Sequence, residues 1–157
     1  MPAITIVPFR PELAPAFARL NRAWIERLFV MEEADRKVLD HPETAIIQPG
    51  GQIFFALDGG TPVGTAAAIP VSPLRFELAK MAVDPAYQGR GLGRLLVEAV
   101  IDFARSVNAE SLFLVTNSSL AGAIRLYERL GFRHAPLPPH NEYARADVYM
   151  ELVLGVR

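Results

Sequence analysis

The sequence has no cysteine, no long apolar run and no excess of charge of one sign. Without cysteine the chain cannot form a disulfide, a thiol nucleophile or a zinc–thiolate site. No apolar stretch approaches the ~20 residues of a membrane-spanning helix, and the N-terminus lacks the basic and apolar segments of a signal peptide. A net charge of −1 argues against a large nucleic-acid-binding surface. These absences predict a soluble, cytoplasmic protein with no nucleic-acid or membrane partner.

The composition is typical of a folded globular protein. Hydrophobic residues make up 51% of the 157 residues and charged residues 21%, a balance that argues against disorder. This length is sufficient for one domain with a sizeable core. Because no internal repeat, low-complexity tract or linker divides the sequence, residues 1–157 are expected to form a single domain.

Hydrophobic periodicity predicts a mixed α/β fold. The predicted strands are Ile4–Phe9, Gln52–Leu57, Pro62–Val71, Phe76–Val83, Ser111–Thr116, Arg133–His134 and Asp147–Leu154. The predicted helices are Pro11–Phe29, Glu33–Leu39, Leu92–Phe103 and Ser119–Leu130. The Asp58-Gly59-Gly60 sequence predicts a hairpin turn. The front half is therefore expected to be antiparallel, and the two successive strand–helix units behind it should place parallel strands side by side.

The segment Gln88–Arg94 is a poor start for a helix unless it binds an anion. Glycine costs about 1 kcal/mol relative to alanine inside a helix, and an arginine in the first turn faces the positive end of the helix dipole. An anion on the helix end offsets both penalties, because glycine lets the ligand approach backbone N–H groups closely. Arg94 replaces the third glycine of a dinucleotide fingerprint, and the Gly-Lys-Ser/Thr of a P-loop is absent. The segment thus predicts a phosphate cradle, the alternative being a glycine-rich turn without a ligand.

Two sequence blocks resemble the GNAT superfamily, the N-acetyltransferases that use acetyl-CoA. The first is Glu77–Gly93, in which Gln88, Gly91 and Gly93 match the pattern Gln-x-x-Gly-x-Gly, and the second is Ala123–Phe132. The resemblance covers nearly the whole chain. It implies a GNAT-like fold of about seven strands and four helices, with two central strands that splay apart in a V. It also implies direct transfer of an acetyl group from acetyl-CoA to an amine in a ternary complex, without a metal.

The resemblance also implies where the coenzyme binds. The pyrophosphate would lie on Gln88–Arg94 and the pantetheine arm along Met81–Val83, where backbone N–H groups would stabilise the oxyanion. Many family members carry an asparagine seven residues before the tyrosine of the second block, but Leu120 stands there. Asn117 either substitutes for that asparagine or begins the turn before the helix. The predicted coenzyme-binding residues are Met81, Ala82, Val83, Gln88, Gly89, Arg90, Gly91, Leu92, Gly93, Arg94 and Asn117.

Tyr127 and Glu77 are the candidate catalytic residues. The resemblance places the Tyr127 hydroxyl near the coenzyme sulfur, where a phenol of pKa about 10 can protonate the leaving thiolate; the alternative is a tyrosine that packs on the sheet. Glu77 occupies the position of a catalytic or water-ordering glutamate that deprotonates the acceptor amine; the alternative is a structural carboxylate. A regular pleat would put Glu77 on the same strand face as Ala79 and Met81, which a β-bulge would change.

The sequence does not identify the acceptor. Weaker candidates for its binding site are Glu32, Glu33, His134 and Glu142. Four aromatic residues either line its pocket or pack in the core: Trp24, Phe29, Phe54 and Phe55. Because no basic or acidic track indicates a macromolecular partner, the preferred acceptor is a small amine or amino acid. A protein N-acetyltransferase and a non-catalytic acyl-CoA sensor are the alternatives, and the oligomeric state stays open, with a homodimer among the options.

Overall fold

A computed structural model of the protein describes residues 3–139 and 143–155, and within them a seven-stranded sheet organises the chain. The strands are β1 (Ile4–Pro8), β2 (Gln52–Asp58), β3 (Thr61–Ser72), β4 (Arg75–Val83), β5 (Ser111–Thr116), β6 (Arg133–Ala135) and β7 (Val148–Val153). The α-helices of the same residues are α1 (Ala14–Leu28), α2 (Glu33–Leu39), α3 (Leu92–Ser106) and α4 (Ala121–Arg129). The strand order is β1-β2-β3-β4-β5-β7-β6, and β4–β5 is the parallel pair among antiparallel ones. The predicted mixed fold is confirmed.

Short irregular turns account for the differences between the predicted and observed helices. The first predicted helix begins as a 3-10 turn at Pro11–Leu13, and a π-helical turn at Glu43–Ile47 has no counterpart in the prediction. The last helix begins two residues later than predicted, because the side chain of Asn117 accepts a hydrogen bond from the backbone N–H of Ser119 at 2.9 Å. This bond holds the chain in a turn, which delays the helix to Ala121.

The sheet separates two hydrophobic clusters. On one face α3 and α4 pack over the sheet, and the buried residues include Phe76, Leu78, Leu96, Val100, Leu112, Leu114 and Met150. On the other face α1 and α2 cover the first strands, and the buried residues include Phe17, Ile25, Leu39, Ile53 and Phe55. Each fully buried large side chain stabilises the fold by roughly 1.5–3 kcal/mol relative to exposure. Two packed faces hold the central strands, and hence the opening between them, in a fixed geometry.

The two parallel strands of the sheet separate along their length. The ladder between β4 and β5 joins Arg75–Glu77 to Ser111–Phe113 and goes no further, although β4 continues to Val83 and β5 to Thr116. The carboxyl ends of the two strands therefore diverge. The predicted V-shaped splay is confirmed, and it exposes strand edges that are able to hydrogen-bond an extended ligand.

A β-bulge interrupts β4 beside this opening. Thr65 of β3 lies opposite Ala82, but Ala67 lies opposite Ala79, so β4 carries one extra residue between these two pairs. Within that interval Lys80 has φ +55°, in the left-handed region that non-glycine residues adopt only when the surrounding structure enforces it. Such bulges commonly redirect a side chain next to a functional site.

The bulge changes which face of β4 each side chain occupies. Beyond it, Met81 and Val83 pack against the cluster to which Leu78 belongs. Glu77 adjoins Leu78 in the strand and therefore points to the opposite face. Of the two arrangements that the sequence left open, the bulged one is observed, and Glu77 and Met81 lie on opposite faces because the extra residue shifts the alternation by one.

Candidate active site

A cavity of about 580 Å³ opens between the splayed ends of β4 and β5. Its lining includes these predicted site residues: Glu77, Met81, Ala82, Val83, Gln88, Gly89, Gly91, Leu92, Gly93, Asn117 and Tyr127. The end of α1, the start of α4 and residues 143, 145 and 146 complete the lining. The fold therefore brings the predicted coenzyme segment and both candidate catalytic residues to one cavity.

The N-terminus of α3 presents free backbone donors at this cavity. Gly89 and Gly91 have φ +79° and +82°, in the left-handed region, and Gly91 caps the helix without a side-chain hydrogen bond. Within the part of the chain that the structure describes, the backbone N–H groups of residues 89–94 donate no hydrogen bond. A Cβ atom built on either glycine would meet no heavy atom within 4 Å. This helix end is therefore open to an anion.

Two arginines of the glycine segment do not line the cavity. The guanidinium of Arg90 lies 4.9 Å from the centre of the Tyr87 ring. Arg94 Nε lies 3.3 Å from the Glu98 carboxylate, one turn along the helix. Both side chains thus lie outside the cavity lining, and their contact with a phosphate stays a prediction.

Asn117 lies on the cavity lining but already has protein partners. Its Nδ2 donates to the backbone carbonyl of Arg145 at 2.6 Å, and its Oδ1 accepts from the Ser119 backbone. These bonds favour the turn-forming role over a contact with the coenzyme. The following helix, α4, begins at the cavity without a side-chain cap, and Gly122 in its first turn has no heavy atom within 4 Å of a built Cβ.

Tyr127 combines a packed ring with a hydroxyl at the cavity. The residue is 7% exposed, and its ring makes an edge contact with Phe132 at 5.9 Å between ring centres. Among the described residues its hydroxyl makes no hydrogen bond. Burial raises the pKa of this hydroxyl above its ordinary value of 10.0, so it keeps its proton at neutral pH. Both sequence alternatives therefore apply to one residue, since the ring packs and the hydroxyl is available as a hydrogen-bond donor.

Glu77 lies on the lining, on the strand face opposite the α3 side of the sheet. Its negative charge acts on Lys80 and raises the pKa of that ammonium slightly, against the stronger effect of burial. Glu77 thus borders a group of charged residues of which the sequence indicated only Glu32 as a candidate.

A buried ion cluster joins β4, α2 and the segment that precedes β7. Lys80 Nζ donates to Asp35 Oδ1 at 2.7 Å and to the Tyr143 hydroxyl at 2.9 Å. Both terminal nitrogens of Arg145 donate hydrogen bonds to the same carboxylate, at 2.6 and 2.8 Å, and one of them also donates to the Glu32 carboxylate at 3.3 Å. Asp35 is fully buried and Lys80 is 8% exposed. These contacts fix three separate segments around one end of the cavity.

The helix start of α2 explains how Asp35 is held in this cluster. Glu32 and Asp35 form a reciprocal capping box, in which Asp35 Oδ2 accepts from the Glu32 backbone N–H at 2.9 Å. The same Glu32 side chain accepts from the Ala144 backbone at 3.0 Å. The main sequence signal for the cluster was a lysine in the strand Phe76–Val83, whose other charged residue is Glu77.

Burial and ion pairing act in opposite directions on this cluster. Burial alone raises the pKa of Asp35, but hydrogen bonds from Arg145 and Lys80 outweigh it and hold that pKa well below its ordinary value of 3.8. For Lys80, burial lowers the pKa and the Asp35 pair partly offsets this effect. Asp35 therefore stays ionised at any pH at which the protein would be assayed.

The depressed pKa of Asp35 predicts a loss of stability in acid. The stabilisation by the ionised carboxylate is complete above its unfolded-state value of 3.8 and declines as the pH falls from there toward the lower folded value. We expect the difference in unfolding free energy between wild type and Asp35→Asn to narrow between pH 5 and pH 3. Urea denaturation of both proteins at the two pH values measures it. A constant difference would show that the charge of Asp35 does not contribute to the free energy of unfolding.

The remaining candidate residues for the acceptor site lie in different parts of the structure. Trp24 and Phe29 line the cavity and contact each other edge to face, with ring centres 6.1 Å apart. Phe54 and Phe55 pack in the two hydrophobic clusters. Glu33 lies 3.7 Å from Arg36 and His134 lies 2.9 Å from Glu128, in both cases away from the cavity. Glu142 lies outside the described residues.

The described residues contain neither a metal-binding cluster nor a membrane-spanning helix. Within residues 3–139 and 143–155, no group of three or more His, Cys, Asp or Glu side chains is arranged to hold a metal ion. None of the helices in these ranges combines the length and apolarity that crossing a bilayer requires.

Comparison with known proteins gives one family. Residues 18–132 match the model of the Acetyltransferase (GNAT) family. The N-alpha-acetyltransferase RimI of Mycobacterium tuberculosis is 35% identical over 110 residues, which are 66% of each chain. The [ribosomal protein bS18]-alanine N-acetyltransferase of Salmonella typhimurium is 40% identical over 77 residues, covering 49% of this chain and 51% of the relative. Human N-acetylaspartate synthetase is 33% identical over 124 residues, covering 78% of this chain and 39% of the synthetase. The matches thus span less than two thirds of the relatives' lengths.

Solved structures share the fold. A GNAT-family acetyltransferase of Staphylococcus aureus Mu50 superimposes with a TM-score of 0.88 at 22% identity, covering 98% of this chain and 100% of that one. The YncA protein of Salmonella typhimurium, solved with acetyl-CoA, gives 0.78 at 23% identity, covering 99% and 96%. At these identities the agreement concerns the fold, and it extends over nearly the whole chain.

Proposed function

The chain belongs to the GNAT acetyltransferase family, and from that premise we propose that it is an acetyl-CoA-dependent N-acetyltransferase. In this proposal the coenzyme lies in the cavity between β4 and β5, with its diphosphate on the glycine segment and its thioester between the splayed strands. The acetyl group passes directly to an amine in a ternary complex.

The open N-terminus of α3 is the observation that carries the proposal. Its backbone N–H groups have no partner among the described residues, and left-handed glycines keep side chains away from them. A helix end of this kind binds phosphate through several N–H groups at once, with the helix dipole adding to the attraction. A glycine-rich turn without a ligand would leave these donors unexplained.

The chemistry proposed for the cavity needs few groups. The acceptor amine loses its proton to Glu77, directly or through water, and its nitrogen forms a bond to the thioester carbon. Backbone N–H groups near Met81 and Ala82 stabilise the oxyanion that develops. The carbon–sulfur bond then breaks, and the Tyr127 hydroxyl supplies a proton to the leaving sulfur. The new amide nitrogen releases its extra proton to the resulting phenolate, directly or through water, which restores the Tyr127 hydroxyl. Because burial makes Tyr127 a weaker acid than usual, this transfer accompanies the bond cleavage rather than preceding it.

The preferred acceptor is a small amine or amino acid, and a protein N-terminus is the second candidate. The second is favoured by the relatives, since two of them carry the names of an N-alpha-acetyltransferase and of a ribosomal-protein alanine N-acetyltransferase. A non-catalytic acyl-CoA sensor would need the same cradle, but it would not need a tyrosine and a glutamate in the same cavity. The presence of both favours an enzyme.

Acetyl-CoA binding tests the proposal. We expect Gly91→Trp to weaken acetyl-CoA binding at least tenfold, about 1.4 kcal/mol, because the indole projects from the residue whose neighbours provide the cradle. Isothermal titration calorimetry of both proteins measures this change. Absence of binding to the wild type, or equal dissociation constants for the two, would reject the proposed function.

A glycine outside the cavity lining provides the control. Gly60 has φ +93° in the β2–β3 turn and, like Gly91, has no heavy atom within 4 Å of a built Cβ. Gly60→Trp therefore introduces the same side chain with a similar backbone penalty, about 1–2 kcal/mol. We expect Gly60→Trp to bind acetyl-CoA as the wild type does.

A further inference from the structure

The cavity lining carries more cations than carboxylates, and we propose that the acceptor is an amine that also carries a carboxylate, a free amino acid, with Arg27 as the anchor of that carboxylate. The inference rests on the proposed function and names the substrate class of the same site.

Cations outnumber carboxylates on the cavity lining. Among the described lining residues, the cations are Arg27, Lys80 and Arg145, and the single carboxylate is Glu77. The carboxylates that pair with two of these cations, Asp35 and Glu32, are absent from the lining. The cations therefore border the cavity, and their counter-charges lie behind them.

Arg27 differs from the other two cations in having no fixed partner. Arg145 is held by two contacts with Asp35, and Lys80 uses two of its three N–H donors on Asp35 and Tyr143. Arg27 makes neither an ion pair nor a side-chain hydrogen bond with any residue that the structure describes. Its guanidinium is thus available to a ligand, and its planar fork matches the two oxygens of a carboxylate.

The surroundings of Arg27 suit a small anionic ligand. The residue lies in the last turn of α1, and the neighbouring side chains of Trp24 and Phe29 also line the cavity. Lys80 and Arg145 present the positive side of the buried ion cluster to the cavity, while Asp35 and Glu32 balance the charge of the cluster behind them.

The buried ion cluster lies away from the proposed phosphate cradle, whereas Arg27 also borders a small second cavity with Val83, Asp84 and Pro85. Lys80 precedes Met81–Val83 in β4, whereas the glycine segment follows Val83, so the cradle and the cation cluster flank the strand that would hold the pantetheine arm. A free amino acid fits this arrangement, because its carboxylate and amine are close enough for one to reach Arg27 while the other faces the thioester. A protein N-terminus lacks this α-carboxylate.

The test compares acids with their neutral counterparts. The free L-amino acids, the corresponding L-amino acid carboxamides and short peptides with free N-termini are incubated with acetyl-CoA and the full chain, and release of the coenzyme thiol is followed. We expect kcat/KM to favour the acid over its own carboxamide by about tenfold or more for the best substrate. In Arg27→Gln we expect this ratio to fall toward one, chiefly because KM for the acid rises.

A matched arginine provides the control. Arg105 also lies exposed in the last turn of a helix of fifteen residues, but it is remote from the cavity lining. We expect Arg105→Gln to keep the wild-type ratio. Three results would overturn the inference without affecting acetyl-CoA binding. They are turnover of carboxamides or peptide N-termini as fast as that of the acids, no turnover of any acid, and an unchanged ratio in Arg27→Gln. Failure to bind acetyl-CoA would instead overturn the proposed function, and this inference with it.

Discussion

Tyr127→Phe is expected to lower kcat by about 100-fold or more, which corresponds to at least ~2.7 kcal/mol of transition-state stabilisation. The substitution removes a hydroxyl that the fold holds at the cavity without a partner among the described residues. The ring and its contact with Phe132 stay, so the cavity keeps its shape. The dissociation constant for acetyl-CoA should therefore change little. Steady-state kinetics together with calorimetry separate the two effects.

Tyr87→Phe is the matched control for this experiment. Tyr87 also lines the cavity, but its hydroxyl donates to Asp58 and is committed to that contact. Its removal should leave kcat within a few-fold of wild type. If Tyr127→Phe turned over at the wild-type rate, the hydroxyl would have no part in the reaction and Tyr127 would be a packing residue.

Asp35→Asn is expected to reduce the free energy of unfolding by about 3–5 kcal/mol, because removing one partner of a buried ion pair leaves the others without compensation. Lys80 and Arg145 both depend on this carboxylate, which has no exposure to solvent. The asparagine is nearly isosteric, so the effect isolates charge from packing. Urea denaturation at neutral pH measures it.

Asp40→Asn provides the comparison at a surface position. Asp40 ends the same helix and pairs with Arg22 at 2.5 Å, but the two side chains are 41% and 37% exposed. Exposed pairs of this kind contribute about 0–1 kcal/mol. Equal losses in Asp35→Asn and Asp40→Asn would contradict the assignment of a structural role to the buried cluster.

The sequence pattern predicted most of the fold because the sheet and helices have regular periods. Alternation in Asp147–Leu154 and the helical repeat in Leu92–Phe103 both correspond to observed elements, with boundaries shifted by one to three residues. The hairpin at Asp58-Gly59-Gly60 also joins the strands as predicted. These features depend on local residue types, which a sequence displays directly.

The candidate site was predictable where it is contiguous in sequence. Gln88–Arg94 and Met81–Val83 are adjacent segments, and Tyr127 lies in a recognisable block. The Lys80–Asp35–Arg145 cluster was not predictable, because its members come from three distant segments. Lys80 turns toward Asp35 only through a bulge, which inserts one residue without a characteristic motif. Periodicity assigned the strand correctly but could not reveal this change of face.

Two helices, α3 and α4, begin at the mouth of one cleft with no side chain to complete their first turns. On the proposed function, the acyl donor completes at least one of them, and it binds the native chain but not the denatured one. Mass action then favours the native state in proportion to the donor's concentration. The lifetime of this protein against heat and proteases would therefore follow the supply of its own substrate, so that scarcity shortens it and abundance prolongs it.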